Sequence, residues 1–190
     1  PSSRTPTGKD PNMATAACPM CRAPHAHLGS VRPLAALRAA PGRLARALRR
    51  VPRRLATRRP APGEWAVGEV LSHLADAEIA LAFRIRTVAP EPRQSLVAWD
   101  QDRWAEGGRY RRTPVREALA TFTALRRSNL AYVARLSAAQ RKQHGRHPEY
   151  GRLTIVQMLA HWSDHDLNHL AQITAARRRL TGVGRRGGSA

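Results

Sequence analysis

Apolar residues recur at helical intervals along four stretches of the chain, and nowhere alternate for long enough to predict a useful strand. In the first stretch, about residues 33–57, Leu34, Leu37, Leu44, Leu48, Val51 and Leu55 follow at spacings of three, four and seven. That spacing draws one apolar stripe along a helix. Pro41 and Pro52 lie inside it and predict a kink or split, because proline lacks the N–H and clashes with the preceding turn. RRPAPGEW then interrupts the pattern. A second helix is predicted from Trp65–Val67 to about Val88, with Val67, Val70, Leu71, Leu74, Glu78, Leu81, Ile85 and Val88 on one face, and APEP closes it.

The third helix opens at Thr113-Pro114, read as an N-cap followed by proline at the first helical position. It runs to about Leu136, with Glu117 near its positive end. A fourth runs from about Thr154 to Leu180. Residues 91–112 form a long crossover that Trp99, Trp104 and Tyr110 would pin to the helices, and AAQRKQHGRHPEYGR reads as a polar, turn-rich link. The predicted fold is all-α: a four-helix bundle over residues 31–180 with a long crossover between helices 2 and 3. Residues 1–30, beginning PSSRTPTGKDPN, are expected to be a disordered leader, in which Met13 is a candidate natural start. Residues 181–190 are expected to be a flexible Gly-rich tail.

Charge adds a second layer. The 190 residues carry a net charge of +20, and all but two of the 33 basic residues are arginine, the exceptions being Lys9 and Lys142. A nucleic-acid surface would produce such a field, but the arginines are spread over nearly every segment and aromatics make up only 5%. A solvated basic surface is the preferred reading. No stretch approaches the ~18 apolar residues of a membrane span, and no apolar signal core opens the chain, so a cytoplasmic protein is expected. Cys18 and Cys21 are too few for a disulfide framework. With His25 and His27 they outline a zinc half-knuckle, yet the gap between the pairs is far shorter than in zinc fingers. An unstructured leader is the preferred reading there too.

The candidate chemistry lies in TIVQMLAHWSDHDLNHLAQI, residues 154–173. Positions four apart stack on a helix, so Met158, Trp162, His165, His169 and Ile173 share one inward stripe. His-x-x-x-His places two imidazoles where one metal ion can bridge them. A pair of hydrogen-bonded core histidines is the alternative. His161, one turn earlier, sits at the stripe's edge and reads as a neighbour of the ligands, or partly exposed. His73, in EVLSHLADAE, is the best third ligand, although periodicity places it on the flank of the Leu74 line beside Val70 and Ala77.

GEWAVGEVLSHLADAE, LVAWDQDRWAE and GRLTIVQMLAHWSDHDLNHLAQI, in that order, resemble the bacterial DinB-like (YfiT-like) superfamily, over about residues 33–180. The resemblance implies a four-helix bundle whose metal triad is His73, His165 and His169, with the crossover matching the family's own. It implies a divalent ion, zinc or nickel for imidazole ligands, and pairing into a homodimer through helix faces. Such an ion ionises a bound thiol or activates water. The resemblance favours transfer of a small-molecule thiol, of the bacillithiol or mycothiol type, to an electrophile; hydrolysis is the alternative, and a non-enzymatic nucleic-acid-binding role a further one. Asp166 and Glu78 are candidate acceptors for the ligands' second N–H. The preferred reading puts Asp166 on a solvated flank and pairs Glu78 with an arginine such as Arg126. Asp100, Trp104 and Tyr110 are candidates for the pocket mouth.

Overall fold

The structure, a computed structural model, describes residues 32–182. The expected leader, its Cys18/Cys21/His25/His27 element and nearly all of the tail lie outside the described residues. Four long helices make the bundle: α1 (Pro33–Arg49), α2 (Val67–Val88), α4 (Val115–Arg135) and α6 (Ile155–Thr181). Between them lie α3 (Gln101–Gly107), the one-turn α5 (Ala138–Arg141), and an antiparallel hairpin of β1 (His144–His147) and β2 (Gly151–Thr154). Helix α2 packs most extensively on α4, while α1 lies along α6 and α4.

Local chemistry explains the helix ends. Pro33 occupies the first position of α1, where its missing N–H costs nothing. At α6, Thr154 Oγ1 accepts from the Gln157 amide at 3.1 Å and Gln157 Oε1 accepts from the Thr154 amide at 2.9 Å, a reciprocal capping box. Gly182, at φ 70°, ends it with the left-handed residue that suits glycine.

The 33–57 stretch is split near Pro52, as that proline predicts, so α1 stops at Arg49 and a 3-10 turn follows at Arg53–Leu55. Several expectations need correction. Pro41 does not split α1. Its missing N–H frees the Leu37 carbonyl one turn earlier, and Arg126 Nη1 supplies the hydrogen bond instead, at 3.0 Å. Thr113 is not the cap of α4: Pro114 is extended (ψ 131°) and holds that place. The polar link before α6 contains the β1–β2 hairpin, which no alternation announced, because only Gly145 and His147 of β1 are buried. The crossover also folds part of itself into α3, where Asp100 Oδ1 accepts from the amides of Asp102 and Arg103.

The apolar core falls into two clusters. One gathers Leu81, Ile85, Val88, Val133, Ile155, Met158 and Trp162; the other Leu44, Val67, Val70, Leu71, Phe122 and Ile173. Each buried Leu, Ile or Phe contributes about 1.5–3 kcal/mol. Between the clusters, α2, α4 and α6 bury polar side chains: Glu78, Arg126, Asn129, His165, Asp166 and His169. The site is built in this layer.

Candidate metal centre

His73, His165 and His169 converge from α2 and α6 inside the bundle, all fully or almost fully buried. His73 Nε2 lies 3.0 Å from His165 Nε2, and His169 Nε2 lies 3.2 Å from the same atom. An ion with metal–nitrogen bonds of about 2.0–2.1 Å in tetrahedral geometry separates its nitrogens by roughly 3.4 Å, so the three ring nitrogens stand close to coordination spacing. Gln172 Oε1 accepts from His169 Nδ1 at 2.7 Å. That bond puts the proton on Nδ1 and turns the Nε2 lone pair toward the centre, the arrangement of metal-ligating histidines. Three imidazole nitrogens converging at this spacing fit a single divalent ion and would leave part of its coordination sphere open.

Aromatic rings wall the centre. Trp99 stacks on His73 (centroids 5.3 Å apart, planes 16° apart), Trp65 meets His73 edge-on at 5.1 Å, and Trp162 lies 5.7 Å from His165. Trp104 packs edge-on against Trp99 at 4.9 Å and is partly exposed. Tyr110 is buried, 6.3 Å from Trp65, and donates its hydroxyl to Asp76. Burial pushes the Asp76 carboxyl above its ordinary range against that hydrogen bond, and burial with the same bond pushes the phenol far upward. Asp100, next to Trp99 in the chain, is exposed and acts as the cap of α3.

The two carboxylates proposed as acceptors for the histidines are held elsewhere. Arg126 Nη1 donates to Asp166 Oδ2 at 2.6 Å, and its Nη2 to Asp166 Oδ1 at 3.1 Å and Glu78 Oε1 at 2.5 Å. Trp162 Nε1 also donates to Glu78 Oε1, and Asn129 Nδ2 to Glu78 Oε2. The expected pairing of Glu78 with Arg126 is present. Asp166, expected on a solvated flank, is instead buried, because a cation on α4 reaches it. Burial lifts the Asp166 carboxyl to about 6, opposed by Arg126 and reinforced by Glu78. One guanidinium serving two carboxylates leaves that trio with a net negative charge. His161 sits half-buried, with its ring 5.3 Å from Tyr150 and 6.4 Å from Trp162. Trp65 and Gln172 are site residues that the sequence reading passed over. Gln172 could have been found, since it stands three residues after His169 on the same helical face.

A helical bundle with a buried triple-histidine centre between its second and last long helices is the class that fold and site define. The family model of the DinB superfamily matches residues 36–173, most of the chain, and the protein belongs to that superfamily. A protein of Oceanobacillus iheyensis named as a putative metal-dependent hydrolase is 28% identical over 113 residues, covering 60% of this chain and 65% of that protein. The chain thus spans about two thirds of that relative's length. One of Bacillus mycoides, similarly named, is 24% identical over 140 residues, covering 74% and 80%. Among solved structures, the fold matches YfiT from Bacillus subtilis, described as a probable metal-dependent hydrolase with an unusual four-helix bundle topology. The TM-score is 0.72 at 23% identity, over 78% of this chain and 86% of that one. It also matches TT2238, a four-helix bundle protein, with a TM-score of 0.57 at 22% identity, over 75% and 96%. No described helix is long and apolar enough to cross a membrane.

Proposed function

We propose that this protein is a metal-dependent enzyme that uses His73, His165 and His169 to hold one divalent ion, zinc or nickel, and transfers a small-molecule thiol to an electrophile. The observation that carries the reading is the convergence of the three Nε2 atoms. An ion held there supplies positive charge that ionises a bound thiol or lowers the pKa of bound water. Trp65 and Trp99 cover His73 and keep water from that side of the centre. Gln172 orients His169, and the Glu78–Arg126–Asp166 network holds α6 against α2 and α4.

Thiol transfer suits a site whose neighbouring carboxylates Glu78 and Asp166 are committed to Arg126, because a thiol that ionises on binding asks for no carboxylate base. The thiol's proton would pass to solvent water, the sulfur would form the new bond to the electrophilic carbon, and the leaving group would depart with the electron pair of the bond that breaks. The reading places the enzyme in the cytoplasm, where small thiols are kept reduced. Hydrolysis is the second reading, favoured by the names of the Oceanobacillus and Bacillus mycoides relatives.

Elemental analysis of tag-free protein tests the centre. One equivalent of zinc or nickel is expected, and loss of it in His169→Ala with the helical circular-dichroism spectrum retained. Consumption of a thiol together with monochlorobimane should disappear in the same variant. Thiol-independent turnover of ester substrates would replace transfer by hydrolysis, and full metal content in His169→Ala would refute the ligand set.

A further inference from the structure

Two stretches of the chain are rich in arginine and carry no acid of their own. From residue 32 to residue 63 the sequence holds ten arginines and no Asp or Glu, and no acidic residue follows Asp166. The fold brings α1 of the first stretch alongside α6 of the second. On α1, Arg43, Arg46 and Arg50 follow at intervals of three and four, which puts them on one helical face. Arg177 of α6 completes the ring around a cavity of about 260 Å³ whose apolar lining includes Leu170 and Ile173. No acidic side chain lines it. Among the described residues none of these four arginines forms an ion pair, and Glu64, the first acid after α1, is taken by Arg179. The cavity shares no lining residue with the histidine centre.

Like charges on adjacent turns repel, and burial strengthens that repulsion for Arg43 and Arg177, which are half-buried. An anion between them reverses the sign of the interaction. Guanidinium is a planar fork of donors that matches phosphate oxygens two at a time. Four forks offer more donors than one phosphate can accept. An extended nucleic acid is a poorer match, because single strands bind where bases stack on aromatic rings and no aromatic residue lines this cavity.

We propose that the cavity between α1 and α6 binds a small anion carrying two or more phosphate groups, with the phosphates on Arg43, Arg46, Arg50 and Arg177. Leu170 and Ile173 leave an apolar surface for an organic substituent. Isothermal titration of the full chain tests this, with pyrophosphate and ADP as probes, orthophosphate and AMP as single-phosphate controls, and a short DNA duplex as the polyanion control. Binding of pyrophosphate or ADP at one equivalent is expected, tighter than the corresponding single-phosphate compound. ADP binding well above pyrophosphate assigns the site to an organic ester, and equal affinity to the diphosphate group itself.

Arg46→Ala/Arg177→Ala should weaken binding at least about tenfold, with metal content unchanged. The charge-matched pair Arg116→Ala/Arg127→Ala on exposed positions of α4 should leave it intact. Should the double variant unfold, Arg46→Gln alone, at an exposed position, should still weaken binding severalfold. Equal weakening in the control pair would assign binding to the overall field of the protein and overturn the site. So would the absence of saturable one-to-one binding, or binding confined to the duplex.

Discussion

Replacing Arg126 by methionine removes the one cation that Glu78 and Asp166 share inside the bundle. The side chain is 2% exposed, and its partners are 0% and 5% exposed, so solvent cannot take over its role. Breaking a buried pair by deleting one partner costs about 3–5 kcal/mol, because an uncompensated charge stays behind. Here two carboxylates are stranded at once, together with the Leu37 carbonyl that Pro41 already leaves without a helical donor. Against a typical total stability of 5–15 kcal/mol, a loss at the upper end of that range is expected. For a domain of this size each kcal/mol shifts Tm by about 2–4 °C, so thermal unfolding followed by far-UV circular dichroism should fall by roughly 10–20 °C. The triple variant Glu78→Gln/Arg126→Met/Asp166→Asn should recover much of that loss, since its polar groups are neutral. A drop of less than about 1 kcal/mol in Arg126→Met, or no recovery in the triple variant, would refute the picture of a charge-dependent buried network.

Further outcomes follow from other contacts. Glu69 holds Arg59 through two hydrogen bonds, at 2.6 and 2.9 Å, and takes the Ala66 amide at the start of α2; desolvation raises its pKa, but Arg59, the amide and Arg111 outweigh it and leave it below the ordinary value. Its contribution is therefore present above the ordinary Glu range and lost as pH falls through the depressed value. Glu69→Gln should abolish that acid-dependent loss, about 1 kcal/mol since Arg59 is 39% exposed, and unfolding curves at pH 7 and pH 3 check it. Gly145→Ala would bring a Cβ within 2.6 Å of Leu96 and 2.9 Å of Val88, both buried; overpacking of about 1–3 kcal/mol is expected, and a Tm equal to that of the parent protein would contradict it. Tyr110→Phe leaves the half-buried Asp76 without its hydroxyl donor and should cost about 1 kcal/mol in urea denaturation.

The four long helices were legible because their apolar positions keep the helical period, and the ligand pair because His165 and His169 continue the stripe of Met158, Trp162 and Ile173. His73 was harder to place for a physical reason. Helix α2 buries residues all round its N-terminal half, Val67 to Ala75 without interruption, so inward and outward faces cease to differ and periodicity carries no information. The resemblance, not the pattern, singled out His73. The role of Asp166 depends on Arg126, forty residues away in the chain, a pairing that no local rule announces. The hairpin was missed because its strands are four residues long and mostly polar, and α3 because seven residues carry too short a pattern.

The crossover and the hairpin are joined through their backbones. The amide of Arg93 donates to the His144 carbonyl, that of Leu96 to Arg146, and that of Arg146 to Gln94, while Ser95 and Arg146 form a parallel bridge. The segment that delivers Trp99 to His73 is thereby a third rung on a small ladder. The consequence is mechanical: two connections far apart in sequence should open and close as one cooperative unit. Their amide protons should exchange with solvent together, and lengthening the 148–150 turn should be felt about fifty residues upstream, in the tilt of the Trp99 indole.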